Sequence, residues 1–519
     1  MCGYHARPYQ QPCMGPAFET RLPIGGHQPR HPWGEIVFRW RSSRKEDLIF
    51  SPGWQPSSLS IRHYDIQESL WDELLPPQAR TLSAELTAVD ACLAGDRFFE
   101  SYRQRFHTLI GRPTVPVETY LRLMYLKHRY KLGYELLVRE VADSLHWRRF
   151  CHLTLDAPVP HPTTLSKLTR KYGPHVVHEL NRLLVQHARE RKLVRCRKLR
   201  VDTTVVQAPI DYPTDIGLLA DSARVVTRTV RRLQAAGAAV RTVFRSRAWS
   251  IKRALATVGR SLRMRTDEAK TAVLKHTARV LRCTRQISRQ AQRVLHNSRR
   301  LGRPAAGRTA ALVQRTRLRL RRQLQVTAQV MAQARLRIRG TTTIPDRLVS
   351  IFDPEARPIR RGKLSVKTEF GYKVLLAETE DRVITHYEVH VGNPNDSGLL
   401  APALEGHTQT VMRTPRVVAT DRGFGSKDNE AFLRKAEVSQ ISLPYKGRLG
   451  AVRVAHERQR WFRRQQHWRS GQEATISLGS RKYEWRHSRL RGRDGADTWI
   501  GFGILTYNLG RMVVIGATR

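Results

Sequence analysis

The spacing of apolar residues predicts a helical region in the first part of the chain. In residues 117–128 apolar side chains recur at helical spacing, and a second apolar stripe follows at residues 136–145. Prolines in residues 158–165 precede threonines, which is a helix-start signal. We therefore predict an all-α N-terminal domain over residues 61–190.

Arginine and lysine on the outer faces of these helices suit a helix-turn-helix-like DNA-binding module. A helical dimerisation domain is the alternative, and spacing alone does not separate the two. Residues 1–60 are rich in Gly, Pro, Arg, His and Gln, with little periodicity. Such a composition buries little apolar surface, so we expect a disordered or poorly ordered basic arm there.

Runs of β-branched and alternating residues predict strands in the second half of the chain. They lie at residues 366–379, 383–392 and 416–420, and an earlier run occupies residues 197–209. A helix is expected to begin near Ser397, and the last 60 residues are expected to form a helix, an Arg-rich loop and a closing apolar helix. This order predicts an α/β domain.

A long helical insertion is predicted to interrupt that domain. Apolar residues recur at threes and fours in three series that begin at Val240, Val273 and Leu320. This pattern is typical of long helices packed as a hairpin or small bundle. We assign residues 216–340 to the insertion, which leaves residues 191–215 and 341–519 for the α/β domain.

The insertion carries a large excess of positive charge, which suggests a binding role in addition to a packing role. The 519-residue chain carries 92 Lys and Arg against 44 Asp and Glu, a formal net charge of +48. Residues 221–340 hold 31 Lys and Arg but 3 acidic residues. Isolated surface charges usually need no partner, but unopposed like charges repel and destabilise a compact state. A polyanion that neutralises them is therefore the stronger interpretation, and double-stranded DNA is the expected partner.

The sequence gives less support to a membrane protein, a secreted protein, or a protein stabilised by zinc or disulfides. The chain is expected to hold no apolar run of membrane-spanning length, and residues 1–30 lack the apolar core of a secretory signal. Six scattered cysteines without CxxC spacing predict neither a zinc site nor a disulfide framework. We therefore expect a cytoplasmic, nucleoid-associated protein with no membrane partner and no small-molecule substrate.

Three acidic residues stand out by their context. Asp202 lies inside a β-branched run, and Asp421 follows a short strand and precedes a Gly-rich turn. Glu473 opens an amphipathic segment in a very basic stretch. Sites in open α/β sheets form outside the carboxyl ends of strands. Taken singly, each is more often a surface residue or a salt-bridge partner.

Blocks around these three residues resemble the DDE transposases of bacterial insertion sequences, in particular the ISNCY-like branch. The first-aspartate block corresponds to residues 197–217, the second to 419–425, and the glutamate block to 469–509. Residues 362–373 and 392–398, and the helical segment 118–170, are also similar to these proteins. The resemblance runs from about residue 65 to residue 515.

The resemblance implies an RNase H-like fold and two Mg²⁺ or Mn²⁺ ions held by Asp202, Asp421 and Glu473. Such ions hold the attacking and leaving oxygens of an in-line phosphoryl displacement. Water and then the freed 3′-hydroxyl would be the nucleophiles, on a homodimer that pairs two element ends. The basic residues expected to contact DNA are Lys363, Lys373, Arg422, Arg481, Lys482, Arg489 and Arg491.

Two positions depart from the pattern of these transposases. Ser480 stands where relatives usually carry a Lys or Arg two helical turns after the glutamate, with Arg481 and Lys482 beside it. Gln472 stands where an apolar residue is common. The alternatives are therefore a catalytically decayed or domesticated sequence-specific DNA-binding protein, and an RNase H-like nuclease without strand transfer.

Overall fold

The computed structural model describes residues 59–60, 74–95, 98–99, 112–261, 264, 266–300, 307–360 and 368–518. These residues all belong to one unit of the chain, Pro56–Arg519. The arm predicted over residues 1–60 lies outside the described residues except for 59–60, and Lys363 lies outside them as well.

The N-terminal region folds into helices, as its apolar spacing predicts. They are α1 (Pro77–Arg80), α2 (Ala84–Leu93), α3 (Val117–Arg129), α4 (Tyr134–Asp143), α5 (Leu145–Phe150) and α6 (Pro162–Glu190). Two short strands, β1 (Leu59–Ser60) and β2 (Arg112–Pro113), pair in parallel. Pro162 occupies the first turn of α6, where its missing amide hydrogen costs nothing. Gly173, with φ of 66°, and Pro174 bend the same helix in its middle.

A mixed sheet forms the centre of the catalytic region. Its strands are β3 (Lys198–Gln207), β4 (Arg357–Arg360), β5 (Thr368–Thr379), β6 (Ile384–His390), β7 (Val417–Thr420) and β8 (Gln440–Ser442). One edge of β5 pairs antiparallel with β3, and its other edge pairs antiparallel with β4 and β6. Strand β7 runs parallel between β3 and β8. The strands predicted from β-branched runs are confirmed.

Helices cover both faces of this sheet. They are α11 (Leu400–Val411), α12 (Lys427–Lys435), α13 (Ala451–Arg458), α14 (Arg460–Lys482) and α15 (Arg493–Ala517), and a short 3₁₀ helix (Asp396–Leu399) precedes α11. Val201 and Ala377 pack with α11 and α12, whereas Val374 and Leu376 pack with α15 on the opposite face. Because side chains alternate along a strand, Asp202 shares the face of its partner Leu376.

Helix α15 corrects the expectation that the chain has no apolar run of spanning length. Within the described residues it is the one helix long and apolar enough to cross a membrane, and 67% of its apolar window is buried inside the fold. Phe502 and Leu509 pack among the N-terminal helices, while Ile500 and Ile504 pack beneath the sheet. The apolar side chains of α15 therefore pack into both cores and connect the N-terminal helices to the sheet.

Four helices of the described chain lie between β3 and β4, in the region assigned to the insertion: α7 (Asp215–Ala235), α8 (Ala248–Ser261), α9 (Asp267–Arg300) and α10 (Arg308–Ile338). They share one apolar core, to which α9 contributes Val280 and Ile287. The helix expected from Val240 onward begins instead at Ala248. Ala239 and Arg247 adopt positive φ angles of 54° and 47°, which no α-helix accommodates.

Candidate active site

Two of the predicted carboxylates lie side by side at one edge of the sheet. Val201 and Thr420 are register partners on the parallel strands β3 and β7, and Asp202 and Asp421 directly follow them. Asp202 accepts a hydrogen bond from the Thr203 amide at 2.7 Å. The carboxylate of Asp421 likewise accepts one from the Gly423 amide, at 2.8 Å. Local backbone amides thus fix the orientation of both side chains.

Helix α14 is attached to this edge by a buried ion pair. The guanidinium of Arg200 on β3 lies 2.7 Å from the carboxylate of Glu378 on β5, and their side chains are 3% and 0% exposed. Arg200 also donates to the Trp468 carbonyl of α14, and Thr475 of α14 donates to Glu378. Burial raises the pKa of the Glu378 carboxyl, while the hydrogen bonds from Arg200 and Thr475 oppose that rise.

Two glutamines complete the attachment. Gln472 is fully buried and donates to the carbonyl of Leu376, the register partner of Asp202. Gln466 donates to the carbonyls of Thr420 and Ser442, at the ends of β7 and β8. The polar residue at 472, which departs from the pattern of the resembling transposases, therefore ties α14 to the strand pair that carries Asp202.

The third carboxylate reaches the same edge from α14. Glu473 lies in the middle of this helix, which corrects the expectation that it opens a segment. Arg469, one turn earlier, places its guanidinium 3.6 Å from Asp202 and 3.5 Å from Glu473. Asp202 and Arg469 are each 15% exposed, whereas Glu473 is 69% exposed. The structure therefore brings all three predicted carboxylates to one edge, with an arginine between two of them.

The chemistry of this group of side chains fits divalent cations. Among the described residues, no three His, Cys, Asp or Glu side chains already converge closely enough to form a metal-binding group. Mg²⁺, however, takes one or two carboxylates and completes its shell with water and substrate phosphate oxygens. The guanidinium of Arg469 lies 3.6 Å from Asp202 and 3.5 Å from Glu473, so one positive charge already lies between these two carboxylates.

The basic residues expected to contact DNA fall into two groups. Arg422, Arg481, Lys482, Arg489 and Arg491 are exposed, and among them Arg489 pairs with Glu484 at 3.0 Å. Lys373 differs from the expectation because its side chain is only 7% exposed. Its ammonium lies 2.6 Å from Asp396 and donates to the Pro394 carbonyl. Lys373 thus already has a counter-ion inside the protein.

Sequence reasoning missed two charged residues at this edge, Arg469 and Asp396. Arg469 was one arginine among many, and only its spacing of four residues before Glu473 could have drawn attention to it. Asp396 lies in residues 392–398, where Asn, Pro and Gly also occur. An aspartate in such a stretch is normally interpreted as a turn former, so the sequence gives no signal for its contacts with distant strands.

Comparison with known families agrees with this geometry. Residues 71–171 match a family described as a transposase domain (DUF772), and residues 345–509 match the transposase DDE domain. No curated protein and no solved structure matches the chain. Asp421 and Glu473 lie inside the second match, whereas Asp202 precedes it.

The sheet topology is consistent with the predicted RNase H-like core, because β3, β5 and β6 are antiparallel neighbours and β7 and β8 continue in parallel. The family generally uses divalent metal ions and acts on DNA. The narrower ISNCY-like assignment stays a prediction. On the two domain matches, the chain belongs to the DDE transposases of insertion sequences.

Proposed function

We propose that this transposase cleaves DNA at the terminal inverted repeats of its own insertion sequence and joins the freed 3′ ends to target DNA. The proposal depends on one observation above all. Asp421 follows the last residue of β7, Asp202 occupies the adjoining position within β3, and Arg469 contacts both Asp202 and Glu473 of α14. Carboxylates from separate parts of the chain at one sheet edge suit two-metal phosphoryl transfer.

In this mechanism Asp202, Asp421 and Glu473 would hold two Mg²⁺ or Mn²⁺ ions. Bound ions would activate the nucleophile and neutralise charge on the scissile phosphate. Asp202 is paired with Leu376 of β5 and its side chain is 15% exposed, whereas that of Glu473 is 69% exposed. Glu473 is largely exposed and Arg469 contacts both carboxylates, so we infer that Arg469 turns away from them and toward the DNA phosphate.

The insertion over residues 216–340 is proposed to hold DNA beside this site. A groove of about 710 Å³ runs between α7 and α8, and its floor includes Ala223, Ile251 and Leu255. Its basic rim consists of Arg224, Arg228, Arg231, Arg232 and Lys252. Asp221 is the one acidic side chain that lines this groove in the described chain, and it pairs with Arg224 at 2.6 Å. The remaining rim cations suit a duplex backbone.

Neutralising Arg228, Arg231 and Lys252 together with Gln is expected to weaken binding to element-end duplex. Binding weakens as salt rises, and each lost phosphate contact makes the plot of log affinity against log salt less steep by about 0.9. The measurement is a salt series of duplex binding by fluorescence anisotropy. The charge-matched control is a second triple variant, in which Gln replaces Arg413, Lys427 and Lys435. These three residues are exposed and lie near α11 and α12. Equal slopes for the two triple variants would exclude the α7–α8 groove as a DNA contact.

The remaining assignments follow from transposition itself. The helical domain over residues 61–190 is proposed to recognise the terminal repeats. The catalytic domain over residues 191–215 and 341–519 then cuts them. Joining two ends of one element needs two active sites, so a homodimer on DNA is the expected assembly. The substrate is chromosomal DNA, so the proposed location is the cytoplasm, at the nucleoid.

The test uses the purified chain, Mg²⁺ or Mn²⁺, and duplexes that carry the inverted repeats flanking its reading frame. We expect nicking at the repeat ends, and joining of pre-cut ends to a plasmid, with neither reaction in EDTA or on scrambled ends. Cleavage without joining would identify a nuclease instead. Tight, salt-sensitive binding without cleavage would favour the decayed or domesticated DNA-binding protein that Ser480 suggests.

A further inference from the structure

Asp396 connects three separate segments of the catalytic edge. It begins the 3₁₀ helix after β6, and its side chain is 23% exposed. One carboxylate oxygen, Oδ1, lies 2.6 Å from the ammonium of Lys373 on β5. The same oxygen accepts a hydrogen bond of 3.2 Å from the hydroxyl of Thr203, the residue that follows Asp202 on β3. Asp396 therefore bonds to both central strands of the sheet.

The other oxygen of Asp396 faces the turn that carries Asp421. A Cβ atom on Gly423 would lie 2.7 Å from Asp396 Oδ2 and 2.8 Å from Asp421 Oδ1. Real Cβ atoms do not approach oxygen that closely, so any larger residue at position 423 would displace one or both carboxylates. The backbone of Gly423 thus separates Asp396 from Asp421 and donates its amide hydrogen to Asp421.

The ion pair with Lys373 offsets the electrostatic cost of this close approach. Two carboxylates on either side of one glycine repel each other, and a neighbouring ammonium counteracts that repulsion. Lys373 is 7% exposed and is held by Asp396 and by the Pro394 carbonyl. A lysine buried to this degree needs a counter-charge, so Lys373 and Asp396 depend on each other.

We propose that Asp396 is a positioning residue of the active site, which together with Lys373 and Thr203 fixes the turn of Asp421 relative to the strand of Asp202. It acts through these neighbours and contacts neither the DNA nor the reacting phosphate. The inference rests on the proposed function, because it assumes that Asp202 and Asp421 bind divalent cations. Residues that orient such carboxylates usually change metal affinity or activity by about 10- to 100-fold when replaced.

The first test is Asp396→Asn, which keeps the shape of the side chain and removes its charge. We expect Mn²⁺ binding to the full chain, measured by titration calorimetry without DNA, to weaken by about 10- to 100-fold. Glu430→Gln is the matched control, because Glu430 also accepts from a hydroxyl, that of Tyr445, and pairs with Arg453 at 2.8 Å. The control is expected to bind Mn²⁺ like the wild type.

Thr203→Val supplies a second variant that keeps the Lys373–Asp396 pair intact. It removes a single hydrogen bond to Asp396, so we expect Mn²⁺ binding to weaken by roughly 2- to 10-fold. This variant decides the matter if Asp396→Asn does not fold, as judged by its thermal unfolding transition. Wild-type Mn²⁺ affinity in Thr203→Val and in a folded Asp396→Asn would overturn the proposal, and so would equal losses in Glu430→Gln.

Asp421→Asn separates this inference from the proposed function. If Asp421→Asn weakens Mn²⁺ binding and Asp396→Asn does not, the cation site stands and the positioning role of Asp396 fails. If Asp421→Asn binds Mn²⁺ as the wild type does, the proposed function itself fails. Loss of binding in both variants, with the Glu430→Gln control unaffected, supports the two together.

Discussion

Asp202→Asn and Asp421→Asn are each expected to lower DNA cleavage and strand transfer by about 10³-fold or more, about 4 kcal/mol of lost transition-state stabilisation. Each change removes one negative charge from the place where β7 ends beside the middle of β3, and it keeps the side-chain shape. In Asp421→Asn the side-chain amide oxygen can still accept a hydrogen bond from the Gly423 amide. The measurement is single-turnover nicking of labelled element-end duplex.

Duplex binding by the same two variants is the control that separates loss of catalysis from loss of DNA binding. Both should bind end DNA with nearly wild-type affinity, because the proposed DNA-contacting arginines are unchanged. Asp428→Asn is the matched substitution: this residue is exposed in the first turn of α12, seven positions after Asp421, and should cleave normally. Cleavage at an undiminished rate in either active-site variant would mean that the reacting phosphate is held elsewhere.

The elements that carry Asp202 and Asp421 were predictable because local patterns define them. A β-branched run ending near a Gly-rich turn indicates a strand terminus, and both strands formed as expected. The sequence did not predict their register, although register is what brings the two aspartates together. The strands that bring them together, β3 and β7, are separated by the whole helical insertion and by β4, β5 and β6, so no local pattern specifies which residues face each other.

Glu473 shows why local patterns place a residue less well on a long helix. The helix predicted at the start of the last 60 residues forms as α14 from Arg460, but the sequence placed Glu473 at the opening of a segment and not in the middle of that helix. What fixes the helix are contacts with remote residues: Gln472 with Leu376 and Thr475 with Glu378. These partners lie nearly a hundred positions away along the chain, at separations of 96 and 97 residues.

Lys373 shows that a sequence signal does not reveal which partner a charged side chain takes within the fold. A lysine within a block that resembles transposases was expected to face DNA, whereas the fold pairs it with Asp396. Lysine on a strand has the same sequence signature in either role. Only the backbone path after β6, which returns Asp396 to the edge of β3, decides between them.

The buried pair of Arg200 and Glu378 is expected to dominate the stability of this edge. Arg200→Leu leaves the Glu378 carboxylate at 0% exposure without its guanidinium, and breaking a buried pair in this way costs about 3–5 kcal/mol. Adding Glu378→Leu should restore much of the free energy of unfolding, since a buried pair and an apolar pair are often of similar stability. Chemical denaturation measures both variants.

The cost of Arg200→Leu is expected to depend on pH. Burial already raises the pKa of Glu378 above its ordinary value of 4.5, and removing the opposing arginine raises it further. Below pH 4.5 the carboxyl is protonated in the folded and unfolded chains alike, so its pairing contributes little there. As the pH rises the unfolded chain ionises first, and both proteins lose stability equally while Glu378 stays protonated in the folded state. At higher pH the wild-type carboxyl ionises beside Arg200, whereas the carboxyl of the variant stays protonated because its pKa is higher, so the destabilisation of the variant relative to the wild type grows.

An exposed ion pair of similar length provides the comparison for Arg200→Leu. Arg182 and Glu179 on α6 are 40% and 33% exposed, so Arg182→Leu should cost no more than about 1 kcal/mol. If the two leucine variants lose equal stability, or if the loss in Arg200→Leu does not grow with pH, Glu378 is not held as an ionised partner of Arg200. Helix α14 would then owe its place above Asp202 to Gln466 and Gln472 instead.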